Sequence, residues 1–254
     1  MEISFNQKIV LITGASRGIG KAAAQAFAGS GATVIIHYHQ NKQAATYVLN
    51  SLQGIDHSIA QADLAITDDL VTMVTQVISR YNRIDILVNN AGIYEEKDMI
   101  GMDFNEFMNY WDETIRVNLT GPAILSNLVA REMKKTGGGR IVNITSRGAF
   151  RGEPDAWAYG ASKAGLNATG QSMAKAIAKY GIYVYTLAPG FVETDMSAPC
   201  LKAERREEII NQSPLNRIAQ PQEIANAILM LAAEGNEYLT GCILDINGAS
   251  YLRS

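Results

Sequence analysis

Short apolar runs alternate with longer amphipathic stretches along almost the whole chain. Runs over 8–12, 33–38, 58–62, 84–89, 140–145, 183–187 and 242–246 are rich in Val and Ile and apolar at successive positions. A strand covered on both faces reads that way, whereas a half-exposed strand alternates apolar and polar. Helical spacing between the runs predicts helices near 18–29, 41–53, 67–81, 104–117, 122–135, 157–179 and 221–233. Strand–helix alternation of this kind predicts an α/β fold, a doubly wound parallel sheet of about seven strands with helices on both faces. Right-handed crossovers then put the ligand crevice at the carboxyl ends of the strands. The chemistry is expected just after the strands.

The first run leads into Thr13-Gly14-Ala15-Ser16-Arg17-Gly18-Ile19-Gly20, where helical spacing begins. Glycines let a backbone turn tightly and approach a pyrophosphate without Cβ clashes. The helix N-terminus beyond offers unpaired N–H groups and the positive end of its dipole. Gly14, Ser16, Arg17, Gly18, Ile19 and Gly20 are therefore candidate dinucleotide contacts in a Rossmann-type fold. A strand–helix turn serving packing alone is the other reading of these glycines. An NAD site places an acid at the end of the second strand to hold the ribose 2′-hydroxyl. That stretch reads His37-Tyr38-His39-Gln40-Asn41-Lys42-Gln43, with no acid before Asp56. Arg17 faces the same ribose and would bind a 2′-phosphate bidentately, so NADP(H) is favoured over NAD(H). His37 is a candidate neighbour of that phosphate. His37 and His39 could also place two metal ligands, but no third lies near in sequence and no metal is expected.

Composition narrows the picture. The 254 residues allow one large domain, and about 70% of the surface of such a chain is buried on folding. With 47% apolar and 19% charged residues, disorder is excluded. Lys and Arg number 22 against 25 Asp and Glu, a net charge of −3, which argues against a nucleic-acid binder. Two cysteines, Cys200 and Cys242, suit a reducing, cytoplasmic compartment rather than a disulfide framework. Residues 1–8 carry no signal-peptide core, and no apolar run reaches the ~20 residues that span a bilayer. No linker, repeat or low-complexity tract divides the chain, so residues 1–254 read as a single domain.

Tyr159 and Lys163 stand four residues apart and share a helix face. Ser146, thirteen residues before Tyr159, lies just past the fifth strand. Carbonyl reduction needs a hydride donor, a proton donor and a hydrogen bond to the developing oxyanion. A phenol has a free pKa near ~10, and a nearby ammonium lowers it. Taken alone, Tyr-x-x-x-Lys also describes a half-buried ring beside a solvated lysine.

With these residues together, the chain resembles the short-chain dehydrogenase/reductase family over nearly its whole length. Thr13–Gly20 matches the family's TGxxxGIG turn, and Asn89-Asn90-Ala91-Gly92 its NNAG motif. Ser146, Tyr159 and Lys163 match its catalytic triad, and Asn118 in Arg116-Val117-Asn118-Leu119 its fourth member. Pro189-Gly190-Phe191-Val192-Glu193-Thr194 is similar to the segment closing over the nicotinamide. The resemblance implies that Tyr159 is the proton donor in reduction and that Ser146 positions the carbonyl. It implies that Lys163 binds the nicotinamide-ribose hydroxyls and depresses the Tyr159 pKa, and that Asn118 holds a water in a proton relay. Asp63 would meet the adenine amine, Asn90 would line the adenosine side and Thr194 would hold the carboxamide. Leu64, Ala91, Gly92, Pro189, Gly190 and Val192 would line the same crevice. Asp63 also reads as a helix-start residue, Asn89 as a sheet brace and Thr194 as a helix opener.

Within the family the resemblance is to 3-oxoacyl-acyl-carrier-protein reductases and related carbonyl reductases. It implies a small-molecule or acyl-thioester substrate and a homotetramer, with no nucleic acid and no membrane. Carrier-docking members tend to have arginines at the helix ends flanking the crevice. The corresponding ends here read Lys134-Lys135-Thr136-Gly137 and Lys179-Tyr180-Gly181. A small polar substrate, such as a sugar, polyol or diketone, is therefore the alternative. A non-catalytic nucleotide sensor is the second alternative, although such proteins often lose the tyrosine or lysine. Candidate pocket residues are Ile93, Tyr94, the stretch 147–157 and a lid over 191–214 that includes Pro199, Cys200 and a charged run from Lys202 to Glu208. Arg151, Glu153 and Asp155 make its rim polar.

Overall fold

The structure is a computed structural model that describes residues 3–199, 201 and 203–253. Its centre is a seven-stranded, all-parallel sheet in the order β3-β2-β1-β4-β5-β6-β7. The strands are β1 (Ile9–Ile12), β2 (Thr33–Tyr38), β3 (Ser58–Gln61), β4 (Ile86–Asn89), β5 (Gly139–Ile144), β6 (Ile182–Pro189) and β7 (Ile243–Ile246). The helices are α1 (Gly18–Gly29), α2 (Lys42–Ser51), α3 (Thr67–Tyr81), α4 (Phe104–Ile115), α5 (Gly121–Lys135), α6 (Gly148–Arg151), α7 (Trp157–Ile177), α8 (Ala203–Asn211) and α9 (Pro221–Ala232). Every strand and long helix expected from the sequence forms, with ends shifted by a residue or two.

Successive side chains of a strand point to opposite faces, and the core divides accordingly. Val10 and Ile12 join Phe27 of α1, Val48 of α2 and Ile228 of α9 on one face. Leu11 joins Met73 of α3, Leu125 of α5 and Ala174 of α7 on the other. Since all these residues are at most 4% exposed, the sheet is covered on both sides, as its unbroken Val/Ile runs require. The order reverses between β1 and β4, so the turns after these strands flank one crevice.

Two local features were not expected. The helix beginning at Phe104 does not end before the next one: a π-helical turn, Arg116–Thr120, carries the chain from α4 into α5. A π turn re-aims one side chain without ending the helix. The lid segment contains a helix, α8, whose sequence is almost wholly polar.

Candidate active site

Strand β5 ends at Ile144, and two residues on Ser146 stands at the crevice. Its hydroxyl accepts from the Gly148 N–H at 3.0 Å, which fixes the turn, and it stands close enough to the Tyr159 phenol to favour its ionised form. Helix α7 presents Tyr159 and, one turn later, Lys163. The Lys163 Nζ donates to the Ile144 carbonyl at 3.0 Å and lies 5.7 Å from the centre of the Tyr159 ring. Asn118, fully buried, projects from the π turn. Its Oδ1 accepts from the Ile93 N–H at 2.8 Å and its Nδ2 donates to the Ile93 carbonyl at 2.9 Å. A Cβ on Gly92 would sit 3.1 Å from Asn118 Oδ1 and 3.3 Å from Lys163 Nζ, so amide and ammonium meet over that glycine.

The electrostatics of this cluster correct one expectation. Burial pushes the Tyr159 phenol up to about 12, although nearby Ser146 pulls the other way. Burial also lowers the Lys163 ammonium to about 8. The anticipated acidification of Tyr159 by Lys163 is not seen, because the ammonium is turned to the Ile144 carbonyl and its own charge is penalised by burial. At neutral pH the phenol keeps its proton.

The glycine turn is built as much against the protein as toward a ligand. Gly14 and Gly18 have φ of +62° and +54°, which disfavours a side chain at either. A Cβ on Gly20 would collide with the Gly14 carbonyl. Asn90 sutures β4 to this turn, its Nδ2 donating to the Thr13 and Gly14 carbonyls at 2.9 and 3.1 Å. The Thr13 hydroxyl, absent from the candidate residues, accepts from the Asn90 and Ala91 N–H groups at 3.0 Å each. A hydroxyl closing an apolar strand was the available signal. Asn89 braces the sheet through Ser126 and Asn143, both at 2.8 Å.

His37 is buried, with both ring nitrogens committed to backbone. Nδ1 accepts from the Gly14 N–H at 3.0 Å, and Nε2 donates to the Ala62 carbonyl at 3.0 Å. Burial lowers it to about 4, so it is a neutral brace beneath the turn. Neither ring nitrogen is therefore open to the phosphate contact expected of it. Asp63 folds its carboxylate onto the Ala65 N–H at 2.8 Å, with His39 at 3.5 Å, and Leu64 is buried. Ser16 and Ile19 are half-buried in the turn. Pro189 closes β6, Gly190 lies close against Asn247, and Val192 is buried. Thr194 opens a turn that Ser197 and Ala198 cap, and its methyl group faces Gly18 across the crevice. Among the described residues no group of three or more metal-ligating side chains occurs.

The family described as Enoyl-(Acyl carrier protein) reductase matches residues 14–249. The 3-oxoacyl-[acyl-carrier-protein] reductase of Aquifex aeolicus is 36% identical over 99% of this chain and 100% of its own. That of Synechocystis sp. is 36% identical over 95% of this chain and 96% of its own. The crystal structure of gox2181 superposes with a TM-score of 0.91 at 29% identity, covering 98% of this chain and 97% of the other. The chain belongs to the short-chain dehydrogenase/reductase family. It is an oxidoreductase of CH–OH and carbonyl groups, most like the 3-oxoacyl-[acyl-carrier-protein] reductases.

A nicotinamide dinucleotide is the cofactor that membership implies, and the turn fits one. Helix α1 has neither a capping side chain nor an acid in its first turn, so its N–H groups are open to an anion. The Arg17 side chain, at the N-cap, is 64% exposed and among the described residues ion-pairs only with Asp195, at 3.8 Å. Among the described residues, no helix of this reductase is long and apolar enough to cross a membrane.

A cavity of about 130 Å³ opens on the side of Tyr94, which stands between it and Tyr159. The Tyr94 ring stands edge-on to Tyr159, with centroids 4.8 Å apart, and forms one wall. The expected rim residues Arg151, Glu153 and Asp155 line it, as does Phe191. Glu96, Arg205, Glu208 and Gln212 complete it. Glu96 carried no sequence signal, because only the fold brings it to Arg205, at 2.7 Å. Two lid positions, Cys200 and Lys202, lie outside the described residues.

Proposed function

We propose that this reductase transfers a hydride between NADP(H) and a carbonyl or secondary alcohol, using Ser146, Tyr159, Lys163 and Asn118. The observation that carries the reading is the convergence of Tyr159 and Ser146, with Lys163 behind them and the glycine turn alongside. The bound nicotinamide supplies the hydride in reduction and accepts it in oxidation. Ser146 donates a hydrogen bond to the substrate oxygen. Tyr159, protonated at neutral pH, gives its proton to that oxygen as the C–H bond forms, and takes it back in oxidation. Lys163 holds the nicotinamide-ribose hydroxyls and feeds the proton path. Asn118 has one lone pair left on Oδ1 for a water beside Lys163. Arg17 and the acid-free end of β2 favour NADP(H) over NAD(H).

The chain works as one dinucleotide-binding domain over residues 1–254, in the cytoplasm, as a homotetramer. Exposed Phe104, Met108 and Trp157 on α4 and α7, and Leu252 near the C-terminus, support association. The relatives' names favour a 3-oxoacyl thioester as substrate. The charged cavity favours a small polar carbonyl compound instead.

Replacing Tyr159 by Phe is the direct test. Loss of the acid should cut kcat by about 10³-fold or more, in the upper range for acid–base and oxyanion groups, because the same oxygen also holds the substrate. Dinucleotide affinity, read by fluorescence titration, should stay within about threefold, since the phenol acts on substrate. A variant that keeps a tenth of the wild-type rate would remove Tyr159 from the chemistry.

A further inference from the structure

We infer that the substrate is a short carbonyl compound bearing several hydroxyl groups and no negative charge, held by the cavity that Tyr94 shares with the catalytic cluster. This rests on the hydride-transfer reading above and names its substrate class. The cavity, about 130 Å³, is smaller than the roughly 300–1,000 Å³ of pockets for drug-sized ligands. Beyond the apolar surfaces of Tyr94, Pro154, Phe191 and Ile209, its wall carries Glu96, Arg151, Glu153, Asp155, Arg205 and Glu208. Carboxylates only accept hydrogen bonds and guanidiniums only donate them, whereas a hydroxyl does both. A polyhydroxylated chain can pair with either kind of group on such a wall, where Glu96 and Arg205 already hold each other. A hydrocarbon chain pairs with none and would strip water from them at a cost. Four carboxylates against two guanidiniums also repel a substrate that carries its own negative charge.

A second observation points the same way. Arg147, directly after Ser146, is buried, and burial lowers it to about 10. Its guanidinium donates to Ser250 Oγ and Gln212 Oε1, both at 2.5 Å, and lies 5.0 Å from the centre of the Phe191 ring. Arg151 donates to the same Gln212 oxygen at 3.3 Å. Two guanidiniums thus fix the orientation of the Gln212 amide. Its Nε2 donors have no hydrogen-bond partner among the described residues, and Gln212 lines the cavity. A donor pair anchored from behind in this way recognises a hydroxyl or carbonyl oxygen. The Tyr94 ring joins this wall to the reacting group, edge-on to Tyr159 with centroids 4.8 Å apart.

The reaction balances as carbonyl plus NADPH plus a proton giving alcohol plus NADP⁺. The hydride goes to the carbonyl carbon, and the Tyr159 proton goes to its oxygen. The test follows NADPH absorbance with erythrulose and fructose as hydroxylated ketones. Acetoacetyl-N-acetylcysteamine and 2-hexanone serve as apolar probes, and aminoacetone as a cationic one. At least one hydroxylated ketone should exceed every other probe in kcat/KM by tenfold or more. Glu153→Gln and Gln212→Met should each lower that preference fivefold or more, while the dissociation constant for NADPH stays within threefold and so reports an intact fold. A preference for the thioester, hexanone or aminoacetone, or one that neither variant moves, overturns the substrate class alone. A wild-type enzyme that binds NADPH and reduces none of the five overturns the hydride-transfer reading and this inference with it.

Discussion

Arg17 carries the choice of cofactor on one side chain. Its contact with Asp195 is long and exposed, and pairs of that kind hold a side chain weakly, so the guanidinium is free to turn toward a 2′-phosphate. A charge-assisted contact of this type contributes about 1.5–3 kcal/mol, roughly a 10- to 100-fold change in affinity. Arg17→Ala should therefore raise KM for NADPH by about tenfold or more and leave NADH within about threefold. Arg17→Lys should fall between, since an ammonium offers a point charge rather than a bidentate fork. Steady-state rates with both nucleotides decide it, and equal losses would take Arg17 off the 2′-phosphate. The glycines, Ser146, Tyr159 and Lys163 were legible because each pairs a distinctive side chain with a fixed spacing. Their protonation was not legible. Burial, which sequence does not display, outweighs the pull of Ser146 and holds the phenol at about 12.

Elements meet at His37, the last-but-one residue of β2, which ties that strand to the glycine turn and to the chain leaving β3. Its neutral form serves the fold, with a pKa of about 4 against 6.5 for the ordinary group. The unfolded chain therefore binds the extra proton first as pH falls. Stability is full above pH ~6.5, declines between there and pH ~4, and loses about 3 kcal/mol in all from this group. His37→Asn keeps an acceptor for the Gly14 N–H and removes the titration. Urea unfolding at pH 7 and pH 4.5 should show a smaller acid-induced loss in the variant than in the wild type. An identical loss would assign the acid sensitivity to other groups. Periodicity found the strands and long helices because each buries a face or both. It missed the π turn, since one widened turn leaves apolar spacing almost unchanged on either side. It also missed α8, whose residues Arg205, Arg206, Glu207 and Glu208 form no apolar stripe.

At the scale of the whole molecule, the strand order brings together segments that sequence keeps far apart. The cavity draws on residues near 94, 151–155, 191 and 205–212, and no local motif announces that set. Helix α8 closes one side of it, packs Ile209 against Ile218, Tyr94 and Phe191, and is tied further by ion pairs. Arg205 reaches Glu96 at 2.7 Å, and Arg206 reaches Glu193 at 3.3 Å, in the segment that follows β6. Glu193 also accepts from Gln220 at 2.7 Å, so the Arg206 contact links α8 to the start of α9. Such contacts lie on the surface and add little to global stability, yet they bias where a small helix rests. Arg206→Ala should leave Tm within about 2–4 °C of wild type, the shift expected of ~1 kcal/mol in a chain of this size. KM for the carbonyl substrate should rise by about three- to tenfold, because the closed position of α8 is less populated. About 1 M salt shortens the Debye length to ~3 Å and should raise KM of the wild type toward that of the variant while barely moving the variant. If salt shifts both proteins equally, α8 is held by its remaining contacts and the Arg206–Glu193 pair is incidental to closure.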